Sequence, residues 1–319
     1  MEKNALKWMI PGGVVLAGAA LWFGLSAYAG SQAEKKLRQI LVEYDLQDQV
    51  HWGSLAATPF GTVTLKDVSA DIGRNQLQAQ RIVVSDVIDE RDRQRARIEV
   101  TGLSDPSGHS PAILFGNSIG QATGEPELPP LDFSIKVDAD YDDDRADVAL
   151  SFMQDKALSG DYAMRIGRIG ILRDLESQLS GSNAMGGLGI FGALAALSRI
   201  SLEHLEVKIR DRGMVERAIA LYKRYQIPVE PGNGKPASQR DDIFKTQAEA
   251  WEAQCLQDRY ISQLDDPKQA CRALVRFASG RSDTLSLTLA PSKPVSAESL
   301  YQLQSSPRQF STLNAEIDS

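Results

Sequence analysis

The segment 116–120 has the sequence G-N-S-I-G, which matches the G-x-S-x-G pattern that exposes a nucleophilic serine on a strand-to-helix turn in hydrolases. The apolar residues 112–115 precede it as a strand would, and Ser118 would be the nucleophile. However, residues 121–126 form a poor helix, and His204, the only downstream histidine, lies within a strand pattern. We therefore predict a protein that is not an enzyme and keep a serine esterase that uses Ser118 as an alternative.

Three aspartates, Asp138, Asp140 and Asp142, have the spacing of the first ligands of an EF-hand calcium loop. The sixth position is Asp143 where the loop requires glycine, and the twelfth is Ala149 where it requires glutamate. The pattern therefore predicts a β-hairpin turn rather than a calcium site. Since the chain has three histidines and two cysteines in all, we also predict no zinc site and no cofactor.

Four arginines occupy alternate positions in a short stretch, at Arg91, Arg93, Arg95 and Arg97. Such a cluster is typical of a solvated turn, and contact with lipid headgroups or an acidic partner is the alternative. The net charge of −7 argues against nucleic acid as a partner, because neutralising phosphates requires a basic surface.

The two cysteines, Cys255 and Cys271, each lie in a segment with helical spacing of apolar residues. Asp266 is predicted to cap the second helix, with Pro267 at its first position and Gly280 at its end. An even number of cysteines on facing helices predicts a Cys255–Cys271 disulfide in an oxidising compartment. Two buried thiols in a cytosolic domain are the alternative.

The N-terminal residues 8–29 form a stretch of 22 residues without a charge. At about 1.5 Å per residue a helix of this length crosses a hydrocarbon core of about 30 Å, so the stretch predicts a transmembrane anchor. A cleaved signal peptide is the alternative, because Ala27-Tyr28-Ala29 before Gly30 fits the A-x-A cleavage rule. Both interpretations predict export of the rest of the chain.

Alternation of apolar and polar residues predicts antiparallel strands over much of the chain. Between Val63 and Ile72 the alternation changes phase at Lys66-Asp67, which predicts a β-bulge. Residues 200–209 copy this spacing, including the phase change, and favour an internal duplication. Residues 133–166 alternate over three segments and predict a meander of half-buried strands.

These patterns predict an α+β fold in which a long, curved antiparallel β-sheet follows the transmembrane helix and is covered by helices, including a disulfide-linked helical hairpin. The predicted segments are an anchor or signal peptide at 1–30, a helix with a first β region at 31–103, a Gly/Pro-rich loop at 104–131, a second β meander with apolar helices at 132–225, a linker at 226–240, and the helical hairpin with the C-terminal strands at 241–319.

An uncharged run at residues 185–197 is too short to cross a bilayer. We expect it to form a buried helix or an apolar lip that dips into lipid. Strands with one apolar face need a cover, and an incomplete cover would leave a trough suited to lipid. The candidate lipid-contact residues of the lip are Leu188, Ile190, Phe191 and Leu194.

Several of these features together resemble a known group of proteins. They are the anchor with its basic following helix, the V-x-L-x-x-V-x-A-x-I strands, the segment R-D-R-G-M-V-E-R at 210–217, and the segment L-x-L-x-L-A-P-x-x-P-V at 285–295. The chain resembles the YdgA-like and, more distantly, the AsmA-like inner-membrane envelope proteins of Gram-negative bacteria.

The resemblance implies a single-pass protein of the inner membrane with a β-rich periplasmic body, without enzymatic activity, that acts in envelope assembly or lipid handling. Its expected partners are the membrane, lipid, and another envelope protein. The alternative function is that of a membrane-anchored accessory subunit of a secretion or division complex.

Overall fold

The computed structural model of the chain describes residues 33–43, 46–59, 61–72, 75–111, 123–125, 127–173, 198–230, 234–302 and 307–319. The predicted transmembrane helix at 8–29 lies outside these residues and stays a prediction. Within the described ranges, no helix combines the length and the apolar character needed to cross a membrane.

In the described part of the chain, twelve strands form an antiparallel β-sheet. They are β1 Val50–His51, β2 Ser54–Ala57, β3 Val63–Ile72, β4 Asn75–Asp89, β5 Arg93–Leu103, β6 Leu131–Asp140, β7 Arg145–Gln154, β8 Leu158–Gly167, β9 Ser201–Asp211, β10 Thr284–Leu289, β11 Val295–Ser296 and β12 Ala315–Asp318. Hydrogen-bonded neighbours follow the order β1-β3-β4-β5-β6-β7-β8-β9-β10-β12, while β2 pairs with β3 and β11 with β9. The predicted α+β class with a large antiparallel sheet is confirmed.

Among the described residues, the α-helices are α1 Ala33–Glu43, α2 Met214–Gln226, α3 Pro236–Cys255, α4 Pro267–Ala278 and α5 Ala297–Gln302. Two 3₁₀ segments lie at Ile261–Gln263 and Pro307–Leu313. Since α3 begins at Pro236, residues 236–240 of the predicted linker at 226–240 belong to this helix.

The chain divides into two compact units. Unit 1 comprises Met1–Asp138 and Leu150–Lys156, and unit 2 comprises Ala139–Ala149 and Ala157–Ser319. Strands β6 and β7 contribute residues to both units, and each unit is described separately below.

The core of unit 1 forms where α1 covers apolar side chains of the strands. Leu37 and Leu41 are four residues apart and thus share one helix face, and they are only 1% and 6% exposed. They belong to one cluster with Val63, Leu65 and Val84. The four-residue spacing of these two leucines in the sequence is the helical spacing that predicts such a face.

The predicted β-bulge at Lys66-Asp67 is wrong. Strand β3 keeps one register with β4 on both sides of Asp67, so neither strand gains an unmatched residue. Instead, Asp67 adopts the left-handed backbone region with a φ of 52°. Asp67 therefore changes the phase of β3 without changing its register.

In unit 1, strands β4 and β5 also change phase, at the residues that lie in line with Asp67 across the sheet. The register places Gln80 of β4 opposite Asp67 and Gly102 of β5 opposite Gln80. Gly102 has a φ of 70°, and a Cβ atom there would lie 2.6 Å from the Gln80 side chain. The Gly102 N–H donates to Asp132 Oδ1 of β6 at 2.7 Å. Because the strands change phase together, apolar side chains on both sides of this row keep to the buried face.

In unit 2, the second copy of this spacing does contain a bulge. The register between β8 and β9 shifts after Arg165, which pairs with His204, whereas Ile166 pairs with Leu202. Glu203 is therefore the extra residue of β9. The two copies of the spacing found in the sequence thus reach their phase change by different means, and the internal duplication stays a prediction.

The helical hairpin of unit 2 has the predicted helix cap, helix end and disulfide. The Asp266 carboxylate caps α4 by accepting the Gln269 N–H at 2.9 Å, and Pro267 occupies the first helical position. Gly280 follows the helix with a φ of 70°, where a side chain would be strained. Cys255 at the end of α3 and Cys271 in α4 form the predicted disulfide, with a Cα–Cα distance of 5.7 Å.

Candidate functional site

Several predicted site residues fall outside the described part of the chain. The G-x-S-x-G segment at 116–120 with Ser118, and the lip residues Leu188, Ile190, Phe191 and Leu194, are among them. The esterase alternative and the lipid lip therefore stay predictions.

The aspartates with EF-hand spacing lie where β6 ends and its hairpin begins. The Asp140 carboxylate accepts the N–H groups of Asp142 and Asp143, each at 3.1 Å, and so closes the turn. Among the described residues, no group of three or more His, Cys, Asp or Glu side chains is arranged to hold a metal ion.

Asp138, the first of these aspartates, does not close the turn, because its carboxylate pairs with two arginines. Its carboxylate lies 3.2 Å from Arg93 Nε and 2.6 Å from Arg95 Nη2, both of β5. Partial burial raises the pKa of Asp138, but hydrogen bonds and positive charges from the two arginines together lower this pKa below its ordinary value of 3.8. The Asp138 side chain is only 21% exposed, so this cluster serves the packing of unit 1.

Part of the basic cluster predicted from the sequence is thus used within the protein. Arg93 and Arg95 bind Asp138, and Arg97 lies 3.1 Å from Glu99. These three arginines of β5 are therefore engaged in ion pairs within the protein. They do not form a free basic patch for lipid headgroups or an acidic partner. Alternate residues of one strand lie on one face, and this signal could have matched Arg93 and Arg95 to an acid of a neighbouring strand.

The long loop after β5 is tied to β7 by one buried amide. Gln154 is 0% exposed, and its side chain accepts the Ser110 hydroxyl at 2.8 Å and donates to the Pro129 carbonyl. The Asp105 carboxylate near the loop start accepts the Ser107 hydroxyl and two backbone N–H groups. Burial raises the pKa of Asp105, but these hydrogen bonds lower the pKa by more.

A pocket of about 270 Å³ lies between α1 and β1 in unit 1. We call it the α1–β1 pocket. Its lining includes Arg38, Leu41, Val42, Val50, His51 and Trp52.

One side of the α1–β1 pocket is cationic and aromatic. The Arg38 guanidinium carbon lies 5.0 Å from the centre of the Trp52 ring, a cation–π distance. Arg38 Nε and Nη2 also donate to Glu34 Oε1, one turn earlier on α1, at 3.1 and 2.8 Å. The arginine is therefore held over the indole with an acid beside it.

The other side of the pocket is apolar. Leu41 of α1 is buried, whereas Val42 is 62% exposed. Val50 of β1 completes this wall. A guanidinium donates hydrogen bonds and keeps its proton, so the pocket is suited to binding an anionic or zwitterionic group with an apolar part.

Sequence reasoning missed this pocket. It predicted the buried face of α1, but His51 and Trp52 follow the helix in a segment without periodicity. The available signal was the four-residue spacing of Arg38 and Val42, which places a cation and an exposed apolar side chain on one face of α1.

In unit 2, an aromatic cluster joins α2 to α3. The Tyr222 ring lies 6.1 Å from that of Phe244, and the Phe244 ring lies 5.6 Å from that of Trp251. Lys223 lies over Phe244 and pairs with Asp241 at 2.9 Å. These contacts join the two helices. Lys223 and Asp241 pair with each other in this packing rather than facing a ligand.

No family model matches the chain, and no curated protein matches its sequence.

Proposed function

We propose that the chain is a non-enzymatic, single-pass protein of the bacterial inner membrane that holds its β-sheet in the periplasm and acts in envelope assembly or lipid handling. The Cys255–Cys271 disulfide carries the proposal, because structural disulfides form and persist in oxidising compartments. The uncharged stretch at 8–29 supplies an anchor of sufficient length.

Lipid handling is the activity that the available surfaces support best. The α1–β1 pocket combines a guanidinium, an indole and an apolar wall, and it follows the proposed anchor by few residues. The uncharged run at 185–197 supplies the proposed lip, with Leu188, Ile190, Phe191 and Leu194 as its lipid contacts. Neither surface needs a catalytic group to bind an amphiphile.

The first experiment tests location on the full chain expressed in a Gram-negative bacterium. We expect the chain to stay in the membrane fraction after alkaline carbonate washing and to be digested by protease added to spheroplasts. Thiol alkylation before and after reduction should show both cysteines oxidised, with the Cys255→Ser/Cys271→Ser variant as the control. A protected chain with free thiols would overturn the proposal.

The second experiment tests lipid handling. The full chain is reconstituted in nanodiscs of known phospholipid composition, and retained lipid is counted by native mass spectrometry. Phe191→Glu/Leu194→Glu should lose retained lipid, whereas Tyr225→Glu/Ile243→Glu, which places the same charges on exposed apolar side chains of α2 and α3, should not. Equal retention by all three proteins would remove the lip from the proposal.

One observation favours the accessory-subunit alternative. Tyr225 and Ile243 are 68% and 38% exposed on α2 and α3, and exposed large apolar side chains occur at protein interfaces. A photo-cross-linking residue at position 225 in living cells should then capture one discrete protein, and the same residue at exposed Lys245 should not. Identical products from both positions would count against this function.

A further inference from the structure

The α1–β1 pocket leads to a more specific inference, which rests on the proposed membrane anchor. We propose that this pocket holds the headgroup of a zwitterionic phospholipid from the anchoring bilayer, with the lipid phosphate on Arg38 and the lipid ammonium on Glu34.

The chain length between anchor and pocket makes a bilayer lipid the nearest occupant. Arg38 lies nine positions after Ala29, the end of the uncharged stretch. That spacing corresponds to about 14 Å in a helix and at most about 32 Å when extended. The anchor thus keeps the pocket at a high effective concentration relative to the bilayer surface.

The charged groups fit a headgroup that carries both signs. A guanidinium has five N–H donors, and Arg38 uses Nε and Nη2 toward Glu34, so donors remain for a phosphate oxygen. The Glu34 side chain is 48% exposed and can accept an ammonium group from outside. A pair of opposite charges 2.8 Å apart favours a zwitterion over a purely anionic headgroup, as does the net charge of −7.

The size of the pocket limits how much of the lipid enters it. Its volume of about 270 Å³ lies just below the range of about 300–1,000 Å³ that is typical of sites for drug-sized ligands. It therefore suits a headgroup with its first acyl carbons, and Leu41 and Val50 form the wall for those carbons. Exposed Val42 lies at the rim, where the remaining acyl chain would leave toward the bilayer.

The test uses the full chain in nanodiscs of phosphatidylethanolamine, and native mass spectrometry counts the lipids that stay bound. Arg38→Gln alters a side chain that is 64% exposed, so the fold should persist, and we expect one lipid fewer than in the unaltered chain. Arg259→Gln removes another exposed arginine that lies over an aromatic ring, 4.6 Å from the centre of Tyr260, and should retain the full number.

Two further measurements make the result specific. Trp52→Leu should also lose one lipid, and a thermal unfolding curve checks that it folds. Inorganic phosphate added to the nanodiscs should not displace the lipid. Equal retention by Arg38→Gln and the unaltered chain, or displacement by inorganic phosphate alone, would overturn the inference.

The same preparations separate this inference from the proposed function. If carbonate washing removes the chain from membranes, the anchor fails and the headgroup site fails with it. If the chain stays in membranes but Arg38→Gln keeps every lipid, the headgroup site alone is wrong.

Discussion

A Cβ atom on Gly167 would lie 2.5 Å from Glu203 Oε1. Glu203 is the bulged residue of β9, and its carboxylate pairs with Arg145 of β7 at 3.1 Å, with β8 lying between these strands. Gly167 at the end of β8 thus leaves the space through which Glu203 reaches Arg145. The bulge, the glycine and the ion pair form one arrangement.

This arrangement predicts that Gly167→Ala and Glu203→Ala are coupled. The first change alone forces the Glu203 carboxylate away from Arg145 and should lower the free energy of unfolding by up to about 1 kcal/mol, because the Arg145 side chain of this pair is 57% exposed and solvent screens the interaction. With Glu203→Ala already present the closest obstacle is gone and Ser201 Oγ, at 3.0 Å, is the nearest remaining neighbour, so the preference of a strand for alanine over glycine, about 0.5–1 kcal/mol, offsets more of the cost.

Urea unfolding of the four proteins in this double-mutant cycle measures the coupling. We expect a coupling free energy of at least about 0.5 kcal/mol between positions 167 and 203. Glu206→Ala, on the same strand and exposed, is the matched control and should add independently to Gly167→Ala. Additive effects of Gly167→Ala and Glu203→Ala would show that the glycine does not serve the carboxylate.

Asp138 predicts an acid-sensitive contribution to stability. Its pKa in the folded protein lies below the ordinary value of 3.8, because Arg93 and Arg95 outweigh the effect of burial. A carboxylate with a depressed folded pKa stabilises the fold above its unfolded pKa, and this stabilisation is lost as the pH falls through the folded value. Asp138→Asn should therefore cost about 1 kcal/mol near pH 7 and little in strong acid.

Chemical unfolding between neutral pH and about pH 2 would measure this difference. Asp92→Asn, in the exposed turn before β5, is the control and should leave the pH profile of the unaltered protein unchanged. A constant difference between Asp138→Asn and the unaltered protein at every pH would contradict the assignment.

Local patterns predicted the elements, because they depend on neighbours in the sequence. The cap at Asp266, the stop at Gly280 and the buried face of α1 each follow from spacings of a few residues. The disulfide was predictable for a related reason, since the chain has only two cysteines and both lie in helices.

Pairings between distant residues were not predictable in the same way. Arg93 and Asp138 are 45 residues apart, and their contact depends on the order and register of strands, which alternation does not specify. The phase change at Asp67 raised the same difficulty. A bulge in one strand and a phase change shared by adjacent strands both interrupt the apolar alternation in the same way, so a single sequence does not distinguish them. Likewise, periodicity placed Leu41 inward but could not show that β1 would leave a pocket beside it.

The disulfide predicts how strongly an oxidising compartment stabilises unit 2. Cys255 and Cys271 are 16 residues apart, so the chain-entropy estimate for closing this loop is about 3 kcal/mol. Cys255→Ser should lower the free energy of unfolding by about that amount, and a reductant should lower it in the unaltered chain only. Stability of the unaltered chain that does not respond to reductant would show that the bridge adds nothing.

Gln154 predicts a local effect on the loop between β5 and β6. Gln154→Leu keeps the side chain's size but leaves the Ser110 hydroxyl and the Pro129 carbonyl without their buried partner, which should cost about 1–3 kcal/mol. Hydrogen exchange should accelerate at Ser110, whose N–H donates to the Leu128 carbonyl at 2.8 Å, more than in the strands. Gln76→Leu, at an exposed position of β4, is the control. An equal response from both variants would mean that the Gln154 amide does not hold the loop.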